Sequence, residues 1–215
     1  MNTEWADADR LAELREALVV AGDRASIAVE APYTGEQIAS IPDGTEADAA
    51  AAYERARDAQ AEWAERPVAE RVAVLDEYAE RVLDARDSLL DLAQLETGKS
   101  RRDAVEEVLD VAATASHYAN VAPDLLESER RGGAVPGFTK TTVHRHPVGV
   151  VGIVSPWNYP ITLAVSDALP ALAAGNAVVL KPAEQTTHTA LLARRLLVDA
   201  GLPPDLLCVV PGEGE

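Results

Sequence analysis

Two short clusters in this 215-residue chain combine polar side chains with stiffening prolines, the make-up of a site rather than of a core. The first is Ser155-Pro156-Trp157-Asn158-Tyr159-Pro160 and the second is Lys181-Pro182-Ala183-Glu184. Asn158 has catalytic character. Its amide can donate to an oxyanion as charge develops in a transition state, and losing such a donor slows a reaction by about 10²–10³. Standing before Tyr159-Pro160, it equally suits a helix N-cap, and the two roles are compatible because a capping oxygen leaves the NH₂ group free. Lys181 and Glu184 place a cation and an anion at one strand end. On residue type alone they also describe an exposed ion pair, which contributes little. The single cysteine, Cys208, lies inside Leu206-Leu207-Cys208-Val209-Val210 and reads as an inert strand thiol.

The elements that must hold these clusters follow from periodicity. Val148 to Val154 is a short apolar run rich in β-branched residues, the pattern of a strand buried on both faces. Ile161 to Ala174 has a helical period and closes on Gly175-Asn176, a left-handed stop. Ala177 to Lys181 is a second strand. Gln185-Thr186-Thr187 opens a helix through Leu197 that ends at Gly201, and Leu206 to Val210 is a third strand. The expected fold class is α/β, a partial doubly wound parallel sheet (βαβαβ) with right-handed crossovers. Ligands of such sheets gather beyond the carboxyl ends of the strands, where both clusters stand. The usual G-x-G-x-x-G fingerprint is absent, and SPWNYP occupies its place.

The preceding residues predict a helical layer. Helices are expected over Glu4–Val20, from a Thr45/Asp48 capping box through Trp63, along Val68, Val72, Leu75, Ala79 and Val82, over Ser88–Glu96, and from Ser100/Asp103 to about Ala119. Two short strands, Ser26–Glu30 and Gln37–Ile41, flank a turn. Pro123–Gly137 reads as a loop, with Arg130-Arg131 in a solvated turn, and Thr139–His146 as an alternating strand. His144 and His146 share one face of that strand. Without further ligands nearby in sequence, an exposed strand face describes them better than a metal site. The expected divisions are 1–138 for the helical part with its connector, 139–147 for the strand, and 148–215 for the sheet core.

The net charge of −17, from 36 acidic against 19 basic residues, argues against polyanionic partners, both nucleic acid and acidic membranes. Dispersed carboxylates in this excess suit a high-salt milieu, where screening relieves their repulsion; an acidic compositional bias is the plainer reading. No run of apolar residues is long enough to span a bilayer. One cysteine and an acidic amino terminus without a hydrophobic signal region point to the cytoplasm.

SPWNYP followed by LKPAE resembles the aldehyde dehydrogenase superfamily, in particular its succinate-semialdehyde dehydrogenase-like group. Glu96-Thr97-Gly98-Lys99, Pro170-Ala171-Leu172-Ala173-Ala174-Gly175-Asn176 and Ala200-Gly201-Leu202-Pro203 agree, in the same order. The resemblance covers the whole chain and the amino-terminal part of the family's enzymes. It implies that Ser155, Pro156, Trp157 and Asn158 line a cofactor cleft and that Lys181 and Glu184, with Pro182 and Ala183 between them, bind the adenosine ribose. It implies too that Gly212 begins a phosphate loop and that Asn158 stabilises the oxyanion. The implied cofactor is NAD rather than NADP, because Glu184 would repel a 2′-phosphate. The implied partners are a small aldehyde and either further copies of a full-length chain or a complementing carboxy-terminal chain. The family's cysteine nucleophile and glutamate base match no residue of these 215. Its succinate-semialdehyde members can carry a cation on the helix after the asparagine, where this chain has Ser166-Asp167.

Overall fold

The computed structural model describes residues 7–22, 24–135 and 137–213. Glu4–Ala6 of the expected leading helix, Pro136 of the connector and the closing Gly214-Glu215 lie outside them. A short helix α1 (Ala8–Arg15) leads to an antiparallel hairpin, β1 (Ser26–Ala31) and β2 (Glu36–Pro42). Four helices follow: α2 (Glu46–Glu65), α3 (Val68–Asp84), α4 (Arg86–Thr97) and α5 (Arg101–Leu126). A second hairpin joins β3 (Glu129–Gly132) to β4 (Lys140–Val143). The sheet core then runs β5 (Val150–Ser155), α6 (Thr162–Val165), α7 (Ala168–Ala173), β6 (Ala177–Pro182), α8 (Thr187–Asp199) and β7 (Leu207–Val209). Its three strands are parallel in the order β5-β6-β7, the expected βαβαβ core behind a helical layer. No helix among the described residues is long and apolar enough to cross a membrane.

Local signals place the helix ends. Thr45 and Asp48 form the capping box, Thr45 N–H donating to Asp48 Oδ2 at 2.9 Å. Asp48 also receives the Ala21 N–H at 3.0 Å and pairs with Arg24 at 2.6 Å, so this cap ties the preceding loop down. Burial raises the Asp48 pKa, but these hydrogen bonds and Arg24 outweigh it and hold the carboxyl below its usual range. Gly175 adopts a φ of 91°, and Asn176 N–H closes α7 on Ala171 O at 2.9 Å. The Asn176 side chain then accepts from Val148 N–H at 2.7 Å and Gly149 N–H at 3.0 Å, aligning the start of β5 with β6.

Four expectations are corrected. β5 is an edge strand rather than one buried on both faces: Val154 is 76 % exposed, because β5 pairs with β6 alone. The helix expected over Ile161–Ala174 is broken at Ser166-Asp167, since Pro170 has no N–H to return to Ser166 O. The leading helix stops at Arg15 because Leu18 and Val19 leave it for the far edge of β7. There Val19 N–H donates to Val209 O at 2.9 Å, covering an edge that would otherwise be open. Finally, α5 runs through Pro123 to Leu126, held by buried Ala122, and Arg130-Arg131 lie in β3, paired with Thr142 and Thr141 of β4.

The helical layer meets the sheet core through buried polar contacts as well as apolar packing. Trp63 Nε1 donates to Leu172 O at 2.8 Å and Arg71 Nε to Ala173 O at 3.0 Å, both filling carbonyls at the end of α7. At the start of α8, the fully buried carboxylate of Glu96 accepts from His188 N–H at 3.0 Å and Thr189 N–H at 2.9 Å. It also accepts from the Thr189 hydroxyl at 2.6 Å and meets His188 Nδ1 at 2.9 Å. Glu96→Ala would strand these donors in the interior, at about 1–3 kcal/mol for each unsatisfied group. We expect it to lower the urea midpoint by a stability loss of about 3 kcal/mol or more, with an unchanged denaturant slope. Glu96→Gln, which keeps one acceptor oxygen, loses less.

Candidate functional site

The two sheet tips predicted from sequence stand side by side: β5 and β6 are in register with Ser155 opposite Pro182. Each tip turns into a helix whose first N–H groups need acceptors, and each receives a carboxylate from the helical layer. Glu96 does this for α8. For α6 it is Glu107, a fully buried residue of α5 that accepts from Ile161 N–H at 2.9 Å and Thr162 N–H at 3.4 Å. Asn158 is therefore not the helix cap; Glu107 performs that task from 54 positions before Ile161.

Lys99 completes the arrangement. It follows Gly98, the left-handed end of α4 (φ 70°). Its ammonium pairs with Glu107 Oε1, donates to the carbonyl of Asn158 at 2.7 Å, and lies 4.2 Å from the centroid of the Tyr159 ring. The main chain of the Trp157-Asn158-Tyr159 corner is thus pinned from beneath, while the Asn158 amide group has no partner among the described residues and faces solvent. An amide so placed is free to donate to an incoming oxygen. Trp157 and Tyr159, about half exposed, flank it.

Beyond β6 and β7 lies a cavity of about 610 Å³. Gly152 and Val154 of β5, Val179 and Lys181 of β6, Gly212, and the Asp43–Glu46 loop form its walls. Lys181 Nζ donates to Gly212 O at 2.7 Å. Burial lowers the Lys181 pKa, and the nearby Glu184 charge works against that shift. Two glycines let the walls close up: a Cβ on Gly44 would lie 2.0 Å from Pro211 O, and Gly212 has a φ of 138°.

The cavity gathers Lys181 and Gly212. Trp157, Asn158 and Glu184 do not line it; they stand on the adjoining tips, Glu184 half-buried in a short 3₁₀ turn over Glu184–Thr186. Pro182 and Ala183 are buried, and the Ala183 carbonyl is occupied by Thr186 N–H at 3.0 Å and the Thr187 hydroxyl at 3.2 Å. Ser155 is buried at the end of β5 and Pro156 is exposed beside it. Cys208 is 2 % exposed, its thiol meets Asp205 O at 3.4 Å, and burial with the Asp205 charge pushes its pKa up to about 11. Asp167 is exposed at the break between α6 and α7.

Sequence reasoning missed Lys99, Glu107 and the Asp43–Glu46 wall. One signal was available. The chain has only three lysines among its 19 basic residues, and two of them, Lys99 and Lys181, serve the two tips.

Comparison with known proteins agrees with this arrangement. The family model for the aldehyde dehydrogenase family matches residues 19–215. A putative succinate-semialdehyde dehydrogenase [NADP(+)] of Mycolicibacterium smegmatis is 51 % identical over 191 residues, covering 89 % of this chain and 37 % of that protein. A Mycobacterium bovis protein, putative succinate-semialdehyde dehydrogenase [NADP(+)] 2, is 50 % identical over 206 residues, covering 96 % and 40 %. The chain thus spans about two fifths of the length of these relatives. Among solved structures, an NAD-dependent benzaldehyde dehydrogenase from Corynebacterium glutamicum superposes with a TM-score of 0.84 at 34 % identity, covering 92 % of this chain and 43 % of that one. An NADP-dependent glyceraldehyde-3-phosphate dehydrogenase from Bacillus halodurans, complexed with NADP, gives 0.82 at 34 % identity, covering 88 % and 40 %. With motif order, sheet topology and extended similarity in agreement, the chain belongs to the aldehyde dehydrogenase family.

Proposed function

We propose that this chain supplies the adenosine-binding tips and the oxyanion amide of an NAD-dependent aldehyde dehydrogenase. The observation that carries the reading is the pairing of two neighbouring strand tips, each followed by a helix start fixed from below by a buried glutamate. Lys181 and Glu184, with the buried Pro182-Ala183 step between them, would hold the ribose hydroxyls. Ser155, Pro156 and Trp157 would flank the nucleotide, and Gly212, lacking a Cβ, would admit its phosphates. The fit rests on a half-buried ammonium whose one acceptor among the described residues is a backbone carbonyl, leaving two donors for a ligand. A bound nucleotide would supply the hydride acceptor. Asn158 would donate to the aldehyde oxygen as addition of a nucleophile to the carbonyl carbon places negative charge on it, before hydride leaves.

This division of labour assigns no bond-making step to the chain itself, since Cys208 is buried and its thiol is held protonated. The exposed edge of β5, with Val154 and the preceding Val148 uncovered, favours completion by further polypeptide, and the largely exposed β3–β4 hairpin is our candidate for subunit association. The reaction is assigned to the cytoplasm. The substrate class is an aldehyde, and succinate semialdehyde is the first to test, although Asp167 offers its carboxylate no attraction. Mixed with aldehyde and NAD, the 215-residue chain alone should form no NADH, and adding a carboxy-terminal counterpart from the family should restore turnover. Robust turnover by the chain alone would overturn the proposal.

The relatives' names carry NADP(+), whereas Glu184 speaks for NAD. A carboxylate beside the ribose repels a 2′-phosphate, so Glu184→Gln in the complemented enzyme should raise the NADP/NAD ratio of kcat/KM by about tenfold or more. An unchanged ratio would remove Glu184 from cofactor selection. The acid excess is read, in the same spirit, as adaptation to salt. The thermal midpoint should rise steadily between dilute buffer and molar KCl, and a flat profile would return the charge to compositional bias.

A further inference from the structure

Asn158 is held by little of its immediate surroundings. It is exposed, and the one hydrogen bond it makes among the described residues is the 2.7 Å bond that its carbonyl accepts from Lys99 Nζ. Pro156 is exposed and the Trp157 and Tyr159 rings are about half exposed, so packing on the solvent side does little to fix the corner. An asparagine amide follows its main chain through two side-chain torsions. Whatever orients the main chain at residue 158 therefore orients the donor.

Lys99 is itself fastened on every side. Its N–H donates to Thr97 Oγ1 at 3.1 Å, and the Thr97 hydroxyl donates to Ala93 O at 2.6 Å, which ties the lysine backbone to the last turn of α4. Its side chain is 16 % exposed, and that of its partner Glu107 is 0 % exposed. The three donors of the ammonium are directed at Glu107 Oε1, at Asn158 O and at the Tyr159 ring, so none is left over for a ligand. Glu107 also holds Ile161 and Thr162, and Leu163 N–H donates to Tyr159 O at 2.9 Å. Both sides of the corner thus refer to one buried carboxylate, and Lys99 is the arm that reaches residue 158.

We propose that Lys99 is a positioning residue for the oxyanion step: it sets the rate through the placement of the Asn158 amide and touches neither aldehyde nor nucleotide. The inference rests on the dehydrogenase reading and adds to it a residue 59 positions before the donor. An oxyanion donor is worth about 10²–10³ in rate only where it points at the developing charge. A displacement of about 1 Å at such a site costs about 10²-fold. Lys99 is specified by shape as well as by charge. An arginine keeps the ion pair with Glu107, but its planar fork cannot serve carboxylate, carbonyl and ring from one point.

The test is a double-mutant cycle in the chain complemented by a carboxy-terminal counterpart from the family. Lys99→Arg retains a charge beside Glu107 and so avoids the unpaired buried carboxylate that Lys99→Met would leave. It should lower kcat by about tenfold or more while the KM for NAD stays within about twofold. Asn158→Ala alone should lower kcat by about 10²–10³. Combined with Asn158→Ala, the arginine substitution should lower the residual rate by less than about twofold, because nothing is left for it to position. A merely structural role would give the same loss in both backgrounds. Lys99→Met/Glu107→Gln, which removes both charges together, should show the same lack of additivity, and it decides the matter if the arginine variant does not fold. Equal losses in both backgrounds, or Lys99→Arg turnover within about twofold of wild type, would overturn the inference alone. No turnover by the complemented wild-type chain would defeat the dehydrogenase reading, and the inference would fall with it.

Discussion

A parallel sheet directs the first N–H groups of its crossover helices towards the strand ends where ligands bind, and in this protein those groups are answered from another layer. Glu96 and Glu107 reach from α4 and α5 to the starts of α8 and α6. A carboxylate at a helix start is favoured both by hydrogen bonding and by the helix dipole. Burial reverses the usual economy, because each carboxylate is desolvated and is tolerable only with all its acceptor sites filled. Glu96 meets that condition with two amides, a hydroxyl and an imidazole, and Glu107 approaches it with two amides and the Lys99 ammonium, both oxygens engaged. The helical layer therefore does more than cover the sheet. It fixes the height and tilt of both tips, and through Lys99 it fixes the backbone of the residue proposed to carry the oxyanion.

Much of this fold could be read from local pattern. The Thr45/Asp48 box, the Ser100 cap, whose hydroxyl accepts from Asp103 N–H at 3.2 Å, and the left-handed stop at Gly175 are short-range signals, and each is found where expected. The misreadings share a different cause. Val148–Val154 has the composition of an interior strand, yet composition cannot say how many neighbours a strand has. Leu18 and Val19 continue the helical spacing of α1 but gain more from the open edge of β7 than from another helical turn. In both cases a long-range pairing decided between two locally acceptable states. Pro170 was visible and undervalued: one missing N–H was enough to divide a helix that the apolar period ran straight through.

The site divides along the same line. Ser155 to Asn158 and Lys181 to Glu184 were legible because the strand–turn–helix pattern places them at strand ends whatever lies around them. Lys99 and Glu107 were not, because their meaning appears only when α4 and α5 are laid against residues 158 to 162. Lysine scarcity offered a hint that runs through chemistry. Most arginines of this protein stand at its surface, with Arg71 a buried exception, whereas the two tips use lysine. A compact ammonium with three donors can satisfy a carboxylate, a carbonyl and an aromatic face from one point, as Lys99 does, and a planar guanidinium matches that geometry poorly.

What the chain can do chemically follows from how its reactive groups are held. The thiol of Cys208 lies in the middle strand-to-strand contact, opposite Val179, and is raised to about 11 by burial and Asp205, with Arg194 only partly offsetting them. Burial thus favours the protonated thiol at neutral pH. Asn158 and Lys181 are the converse: polar, anchored through their own backbone or a neighbouring carbonyl, and with donors to spare. Such groups polarise and position a ligand without being consumed. Groups of this kind act through where they are held, which is why the rigidity of the two tips, set by Glu96 and Glu107, matters more here than the identity of any one side chain that faces solvent.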